Sequence, residues 1–372
     1  MSISLKKEKL SLPLNSILQG DTIDLMKSLP SESIDLVFAD PPYNLQLNGN
    51  LRRPDHTMVK AVNEDWDRFL SFKDYDLFCE NWLSEARRLL KPNGALWVIG
   101  TYHNIYRLGA ILQNLGYWIL NDVIWRKSNP MPNFHGKRLT NAHETLIWAS
   151  KFDNSKYVFN YEALKELNEG LQMRSDWLMP ICNGKERIKD KTGKKAHPTQ
   201  KPESLLHRIL IGSSNKGDII LDPFFGTGTT GAVAKKLGRK FIGIEKDKQY
   251  IEVAKKRINQ ISPHDELSLE VTKSKRDLPR IPFGSLIERG ILSPGEDLQS
   301  FNGRYVAKIR ADGTLISHDA KGSIHQVGAI LEGLPSCNGW AYWHFKIDDS
   351  TAPIDVLRQK LRAEIATTDN IK

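Results

Sequence analysis

Up to about residue 260, short β-rich runs alternate with longer stretches whose apolar residues recur at helical spacing. That alternation predicts an α/β fold, a largely parallel sheet covered by helices. The predicted strands are residues 34–40, 95–100, 122–125, 144–149, 219–222 and 240–245. One predicted helix carries Tyr75, Phe78, Trp82, Ala86 and Leu89 along one face and is stopped by Lys91-Pro92-Asn93-Gly94. A second covers 229–237 and ends at Gly238. Two segments break the rhythm: 44–67, rich in Asn, Arg and Asp, and 153–196, long, polar and basic toward its end. Loops of that length inside a compact domain are usually functional or disordered rather than simple connectors.

Beyond Ser262-Pro263 the character changes. Lys273, Lys275, Arg276, Pro279, Arg280 and Pro282 mark a linker over 263–282, so the catalytic-sized unit is 1–262 and a second unit is 283–372. The second unit has a hairpin pattern, 305–310 and 314–317 across Asp312-Gly313, then a helix with Ile324, Val327 and Leu331. An aromatic cluster of Trp340, Tyr342, Trp343 and Phe345 and a last helix with Ile354, Leu357 and Leu361 complete a small α+β domain. The cluster reads as core, or as a platform for stacked bases.

Composition narrows the class. With 40% apolar and 26% charged residues, the 372-residue chain is neither disordered, collagen-like nor coiled coil. Lys plus Arg outnumber Asp plus Glu by 53 to 44, and the formal charge of +9 favours a polyanionic partner such as nucleic acid. Cys79, Cys182 and Cys337 form no CxxC pair, so neither a disulfide framework nor a zinc site is expected. The stretch after Lys6, Lys7 and Lys9 is broken by Pro13 and Asn15 and lacks the apolar core of a signal peptide, and no run suits a membrane span. The expectation is a cytoplasmic protein off the membrane.

Candidate chemistry sits in two motifs. Asp222-Pro223-Phe224-Phe225-Gly226-Thr227-Gly228-Thr229-Thr230 follows the apolar residues 219–221 and precedes a helix. Glycines there let the backbone approach a ligand, and the new helix offers unpaired N–H groups. Glu245 closes the next strand, where a carboxylate can accept from both hydroxyls of a ribose. No Walker lysine follows, and the third glycine of the dinucleotide fingerprint is missing near Ala232-Val233. A nucleoside without a phosphate chain fits, S-adenosylmethionine above all. The competing reading is a tight turn in any α/β protein.

The second motif, Asp40-Pro41-Pro42-Tyr43, ends the strand 34–39, where open α/β sheets place their ligands. Two prolines fix the backbone, so the Asp40 carboxylate and the Pro41 carbonyl become rigid, converging acceptors. Acceptors gripping the hydrogens of a nucleobase amine favour its pyramidal, nucleophilic form. Tyr43 offers a face on which an extruded base can stack.

These residues resemble the amino-group DNA methyltransferases. The catalytic motif precedes the cofactor motif, and His197-Pro198-Thr199-Gln200-Lys201-Pro202 lies just before the latter, an order that looks like the permuted β class. The insert after Tyr43 and the separate carboxyl-terminal unit are similar to the cell-cycle-regulated adenine methyltransferases (CcrM type) of alphaproteobacteria. The resemblance implies a Rossmann-like methyltransferase fold, base flipping, and N6-methylation of adenine in double-stranded GANTC, with a role in cell-cycle or replication control. It implies no metal and leaves a homodimer open.

Carried over by position, it makes Asp40, Pro41, Pro42 and Tyr43 catalytic. Asp222, Phe224, Gly226 and Gly228 would line the cofactor, Glu245 would hold its ribose with Asp247 as a weaker candidate, and Asp21 would lie near its adenine. Thr199, Gln200 and Lys201 would close over its methionine part. Asp21 reads equally as a helix cap, and Lys201-Pro202 as a helix start. Arg52, Arg53, Lys185 and Arg187, the last two within a basic run through Lys195, would touch DNA, or are solvated loop charges. A cytosine-C5 enzyme is disfavoured because no cysteine follows a proline. The same motifs would also suit a cytosine-N4 enzyme or a non-catalytic DNA-binding regulator that keeps the scaffold.

Overall fold

A strand buried on both faces must be apolar at consecutive positions, and residues 34–39 are: Leu36 and Phe38 face one core, Val37 and Ala39 the other. In the computed structural model this run lies in the middle of a sheet. The structure describes residues 12–45, 67–133, 137–189, 193–265, 267–269, 271, 280–347 and 350–369, which fall into two units, Met1–Lys273 and Ser274–Lys372.

The first unit contains β1 (Ser16–Gln19), α1 (Thr22–Ser28), β2 (Ile34–Ala39), α2 (Phe72–Leu89), β3 (Leu90–Gly100), α3 (Ile105–Asn114), β4 (Trp118–Lys127) and β5 (His143–Ser150). It continues with α4 (Tyr161–Glu166), β6 (Asp176–Met179), α5 (Glu203–Ser213), β7 (Ile219–Asp222), α6 (Thr229–Lys236), β8 (Lys240–Glu245) and α7 (Lys248–Asn259). The sheet order is β1-β8-β7-β2-β3-β5-β4-β6. Only β5 runs against its neighbours. Met26, Tyr75, Trp82 and Leu108 pack on one face, and Leu205, Leu206 and Ala232 on the other.

The mixed α/β architecture is as expected, with differences at element ends. Ser71 caps α2 by accepting from the Asp74 N–H at 3.1 Å, and the helix ends at Leu89, but the chain passes straight into β3 at Leu90. Lys91 to Gly94 therefore belong to the strand. The segment 153–196 contains α4 and the edge strand β6, whose four residues are too few to show a period.

β2 and β7 are far apart in sequence and paired in space. From β2 the chain moves to β3 on one side, and from β7 to β8 on the other. A crevice therefore opens between their carboxyl ends, the usual ligand position in such sheets.

The second unit is an antiparallel sheet in the order Lys321–Gly322, Leu315–Ile316, Val306–Ile309, Asp297–Ser300, Trp343–Ile347, Ser350–Pro353. Helices Ile324–Glu332 and Asp355–Asp369 accompany it. Trp340, Tyr342 and Trp343 are buried in its core, where the Trp343 indole N–H donates to the Ile324 carbonyl at 2.8 Å. Among the described residues no helix is long and apolar enough to cross a membrane.

Candidate active site

The glycine turn begins at Asp222, a buried carboxylate held by the Thr230 hydroxyl at 2.6 Å and the Phe224 N–H at 3.0 Å. Burial pushes its pKa up to about 7. Phe225 fills the space a side chain at Gly243 would need, its ring 2.4 Å from where that Cβ would stand. Gly226 and Gly228 have φ of +52° and +77°, in the left-handed region that favours glycine. A Cβ on Gly226 would point toward His197 across the cavity, at 3.5 Å, whereas one on Gly228 would meet Ala254 at 2.9 Å. Gly226 therefore keeps the cavity open, and Gly228 lets α6 pack on α7.

Glu245, at the end of β8, accepts the Gly226 N–H at 2.8 Å through one oxygen and the Lys246 and Asp247 N–H groups, each at 2.8 Å, through the other. Burial raises its pKa against those hydrogen bonds. Asp247 caps α7 through the Gln249 and Tyr250 N–H groups, and Asp21 caps α1 through those of Ile23 and Asp24. Asp21, Asp222, Glu245 and Asp247 all line one cavity of about 740 Å³, together with Phe224, Gly226 and Thr199. Gly228 is not part of that lining. Phe224 is fixed edge-on against Trp82, ring centres 5.3 Å apart. Acidic groups at strand and helix ends, an aromatic wall and a glycine whose missing Cβ leaves the cavity free suit a nucleoside bearing a cationic amino-acid chain.

The same cavity reaches Asp40, Pro41, Pro42 and Tyr43. The Asp40 carboxylate accepts from Lys201 Nζ at 2.7 Å and from the Tyr43 hydroxyl at 2.8 Å. Burial raises the Asp40 pKa while Lys201 opposes the rise. Lys201 is buried, and the neighbouring Asp40 and Glu144 charges overcome desolvation to keep it firmly protonated. Glu144, at the head of β5, pairs with Lys127 at 2.8 Å, and those two lysines hold its carboxyl below the usual range despite burial. The Tyr43 phenol, pushed up by burial and then by both carboxylates, keeps its proton.

Two further groups hold the Asp40–Tyr43 loop, Asp67 from within the cavity lining and Tyr75 from outside it. Asp67 accepts from the backbone N–H groups of Tyr43, Asn44 and Leu45 at 2.6, 2.7 and 3.0 Å. The buried Tyr75 hydroxyl donates to the Pro42 carbonyl at 2.8 Å and accepts from Asn104 Nδ2 at 3.0 Å. Asn44 itself is buried with φ of +52°.

The remaining expected residues divide. Lys201 lines the cavity but points its ammonium at Asp40, and Gln200 turns its amide to the Ile188 N–H and the Glu186 carbonyl. Arg187 donates to the carbonyls of Cys182, His197 and Pro198, so it ties this chain's own loop together, while Lys185 is exposed. Arg52 and Arg53 lie outside the described residues. Sequence reasoning missed Glu144, Lys127, Asp67 and Tyr75. Opposite charges flanking the connection between β4 and β5, Lys127 before it and Glu144 after it, were the signal available for the first two.

This fold and site define a methyltransferase that uses S-adenosylmethionine. Residues 34–256 match the N6/N4 methyltransferase family described as DNA methylase, and 263–367 match the Restriction Enzyme Adenine Methylase Associated family. The chain is 48% identical to the type II methyltransferase M.HinfI of Haemophilus influenzae over 95% of its own length and 98% of that protein's. It is 45% identical to the type II methyltransferase M2.LlaDCHI of Lactococcus lactis subsp. cremoris, over 66% of this chain and 90% of that one. The M1.HpyAVI–SAM complex matches with a TM-score of 0.50 and 29% identity, covering 66% of this chain and 98% of that one. The PvuII DNA methyltransferase, cytosine-N4-specific, matches at 0.52 and 25%, covering 66% and 88%. The chain belongs to the N6/N4 DNA methylase family and is a DNA methyltransferase.

Proposed function

We propose that the protein methylates N6 of adenine in double-stranded DNA at GANTC, in the cytoplasm at the nucleoid, and so serves cell-cycle or replication control. The observation that carries the amino-group chemistry is the Asp40 carboxylate beside two prolines at the carboxyl end of β2, opening on the cavity. Adenine is supported by Asp rather than Ser at position 40 and by the adenine-methylase-associated family matched by the second unit. The recognition sequence rests on the resemblance of the motif order, the insert and the second unit. Cytosine-N4 is the second reading, favoured by the likeness to the PvuII enzyme.

In this reading Glu245 and Asp247 face the ribose, Asp21 the adenine, Phe224 and Gly226 the nucleoside, and Thr199 with its neighbours the amino-acid end. S-adenosylmethionine, when bound, supplies an electrophilic methyl on a sulfonium, which leaves as a neutral thioether. Asp40 and the Pro41 carbonyl accept the two hydrogens of the target amine, localising the nitrogen lone pair. Burial has raised the Asp40 pKa, so its carboxylate can take the proton the amine releases. Positioning and these fixed acceptors supply most of the acceleration, because the leaving group needs little help.

Labelled cofactor incubated with duplex DNA, followed by nucleoside analysis, separates the readings: N6-methyladenine supports the first, N4-methylcytosine replaces it, and no label supports a non-catalytic role. Mapping methylated contexts tests GANTC. The second unit is assigned to holding or reading DNA. A chain ending at Lys273 should bind S-adenosylmethionine and lose most DNA affinity and turnover, compared at one salt concentration. Equal methylation of the same site by that shorter chain would refute the assignment.

A further inference from the structure

Both oxygens of the Asp40 carboxylate are already occupied. Lys201 Nζ holds one at 2.7 Å and the Tyr43 hydroxyl the other at 2.8 Å. Each carboxylate oxygen can accept two hydrogen bonds, so a target amine would share Asp40 with these partners and would be held more strongly once one of them turns away. The same two groups share a second carboxylate. One oxygen of Glu144 lies 3.1 Å from the Tyr43 hydroxyl and 3.8 Å from Lys201 Nζ, while its other oxygen is fixed by Lys127 at 2.8 Å.

The hydroxyl of Tyr43 has a single proton and cannot donate to both acids at once. Rotation about the C–O bond moves that hydrogen bond from Asp40 to Glu144 with almost no displacement of heavy atoms. Lys201 has three ammonium hydrogens, and closing a gap of 3.8 Å by about one ångström gives it an ordinary charge-assisted bond to Glu144. Glu144 is not among the residues lining the cavity, so a substrate does not compete for it.

We infer that Glu144 is a positioning residue, the alternative acceptor to which Tyr43 and Lys201 are handed when the target amine engages Asp40. This rests on the reading of Asp40 as the amine acceptor. The exchange breaks no covalent bond and keeps the total charge of Asp40, Glu144, Lys201 and Lys127 at zero. It also gives Lys127 a purpose: by pinning the far oxygen, it holds the near one facing the exchange partners.

The groups acting on Asp40 are Lys201, Tyr43 and Glu144, with Asp222 on the neighbouring strand end. Lys127 acts through Glu144, and Arg187 through Lys201. Glu144 raises the Asp40 pKa. Loss of its charge therefore lowers that pKa and carries the acid limb of the methyl-transfer rate to lower pH, since activity requires ionised Asp40.

The test uses the full chain, single-turnover transfer and a duplex the wild-type protein methylates. Glu144→Gln should slow transfer about 10- to 100-fold, the scale of a misplaced catalytic group. Affinities for S-adenosylmethionine and duplex should stay within about twofold, with the acid limb displaced to lower pH. Glu144→Asp, which keeps the charge, should return the limb to its wild-type position. Because Gln leaves Lys127 buried without its partner, the double variant Lys127→Gln/Glu144→Gln removes both charges. It should be folded and equally slow, because the carboxylate that receives Tyr43 and Lys201 is still missing. A double variant that transfers at the wild-type rate would show that Glu144 only neutralises Lys127, and the inference would be wrong. A single variant with an unmoved limb and a rate within threefold would also overturn it. Asp40→Ala run alongside separates the two ideas: if it stays active, the reading of Asp40 fails first, whatever Glu144 does.

Discussion

The side of the cavity assigned to the cofactor and the side assigned to catalysis are built by opposite means. On the cofactor side, each acid accepts from backbone N–H groups within a few residues or on the facing glycine turn: Asp222 from Phe224, with the Thr230 hydroxyl as well, Glu245 from Lys246, Asp247 and Gly226, and Asp21 from Ile23. On the catalytic side, Asp40, Glu144 and Lys201 come from distant parts of the chain and satisfy one another through side chains. The first arrangement is rigid because the backbone makes it. The second can exchange partners because side chains make it, and that is what a group needs if it must bind its substrate during the reaction.

The largest effect should break the catalytic side alone. Asp40→Ala should reduce transfer by about three orders of magnitude, the upper scale for removing one electrostatic contact to a transition state. Calorimetry should find its S-adenosylmethionine affinity unchanged, and a rate within tenfold of wild type would remove Asp40 from its role.

On the cofactor side, Glu245→Ala should weaken S-adenosylmethionine binding by about 1.5 to 3 kcal/mol, the range for a hydrogen bond to a charged group. Unchanged affinity in the same titration would take Glu245 out of the site. Gly228→Ala should act on folding instead, lowering stability by about 1 to 3 kcal/mol through a left-handed backbone. Its effect should appear in denaturant unfolding and be small in the affinity of the folded fraction.

The smallest effect sharpens the contrast through pH. Asp222 has its pKa raised to about 7 by burial, so between about pH 4 and 7 the folded protein holds more protons than the unfolded one. That contribution to stability is present at low pH and is lost as pH rises. His197 has its pKa lowered to about 4, by burial and then by Lys201, so between about pH 4 and 6.5 the unfolded chain holds more protons. That contribution is present at high pH and is lost as pH falls. The two slopes oppose, each at most about 1.4 kcal/mol per pH unit. Asp222→Asn should therefore make stability fall more steeply on acidification, and His197→Gln should make it fall less steeply on acidification. Parallel unfolding curves for both variants across this window would contradict the assignments.

The same contrast explains what the sequence makes legible. The glycine turn and Glu245 declare themselves because strand, turn, helix and strand follow in order, and the proline motif because it stands at the end of a recognisable apolar strand. Glu144 looks like the first residue of an apolar strand, and its meaning appears only when β5 is laid beside β3 and β4. Asp67 closes the long segment after Leu45, a relation that spacing does not encode. β6 is too short to carry a pattern, and Lys201 needs the fold to bring it to Asp40. Arg187 shows the converse: a basic run read as a possible phosphate surface contains a guanidinium committed to its own carbonyls.

The reversed strand has an engineering consequence. Because β5 alone runs against the sheet, its amino end meets the carboxyl ends of β3 and β4, as the pairs Gly100 with Thr145 and Arg126 with His143 record. The chain leaves β4 at Lys127 and enters β5 at His143 on that edge, and the Lys127–Glu144 pair ties the two strand ends together there. The first residues of that connection are tied to the edge strand, the Ser128 N–H donating to the Met179 carbonyl at 3.2 Å and Asn129 accepting the Ile181 N–H at 2.9 Å, so a graft meant to alter what that edge accepts has to begin after Asn129 to leave β6 in place.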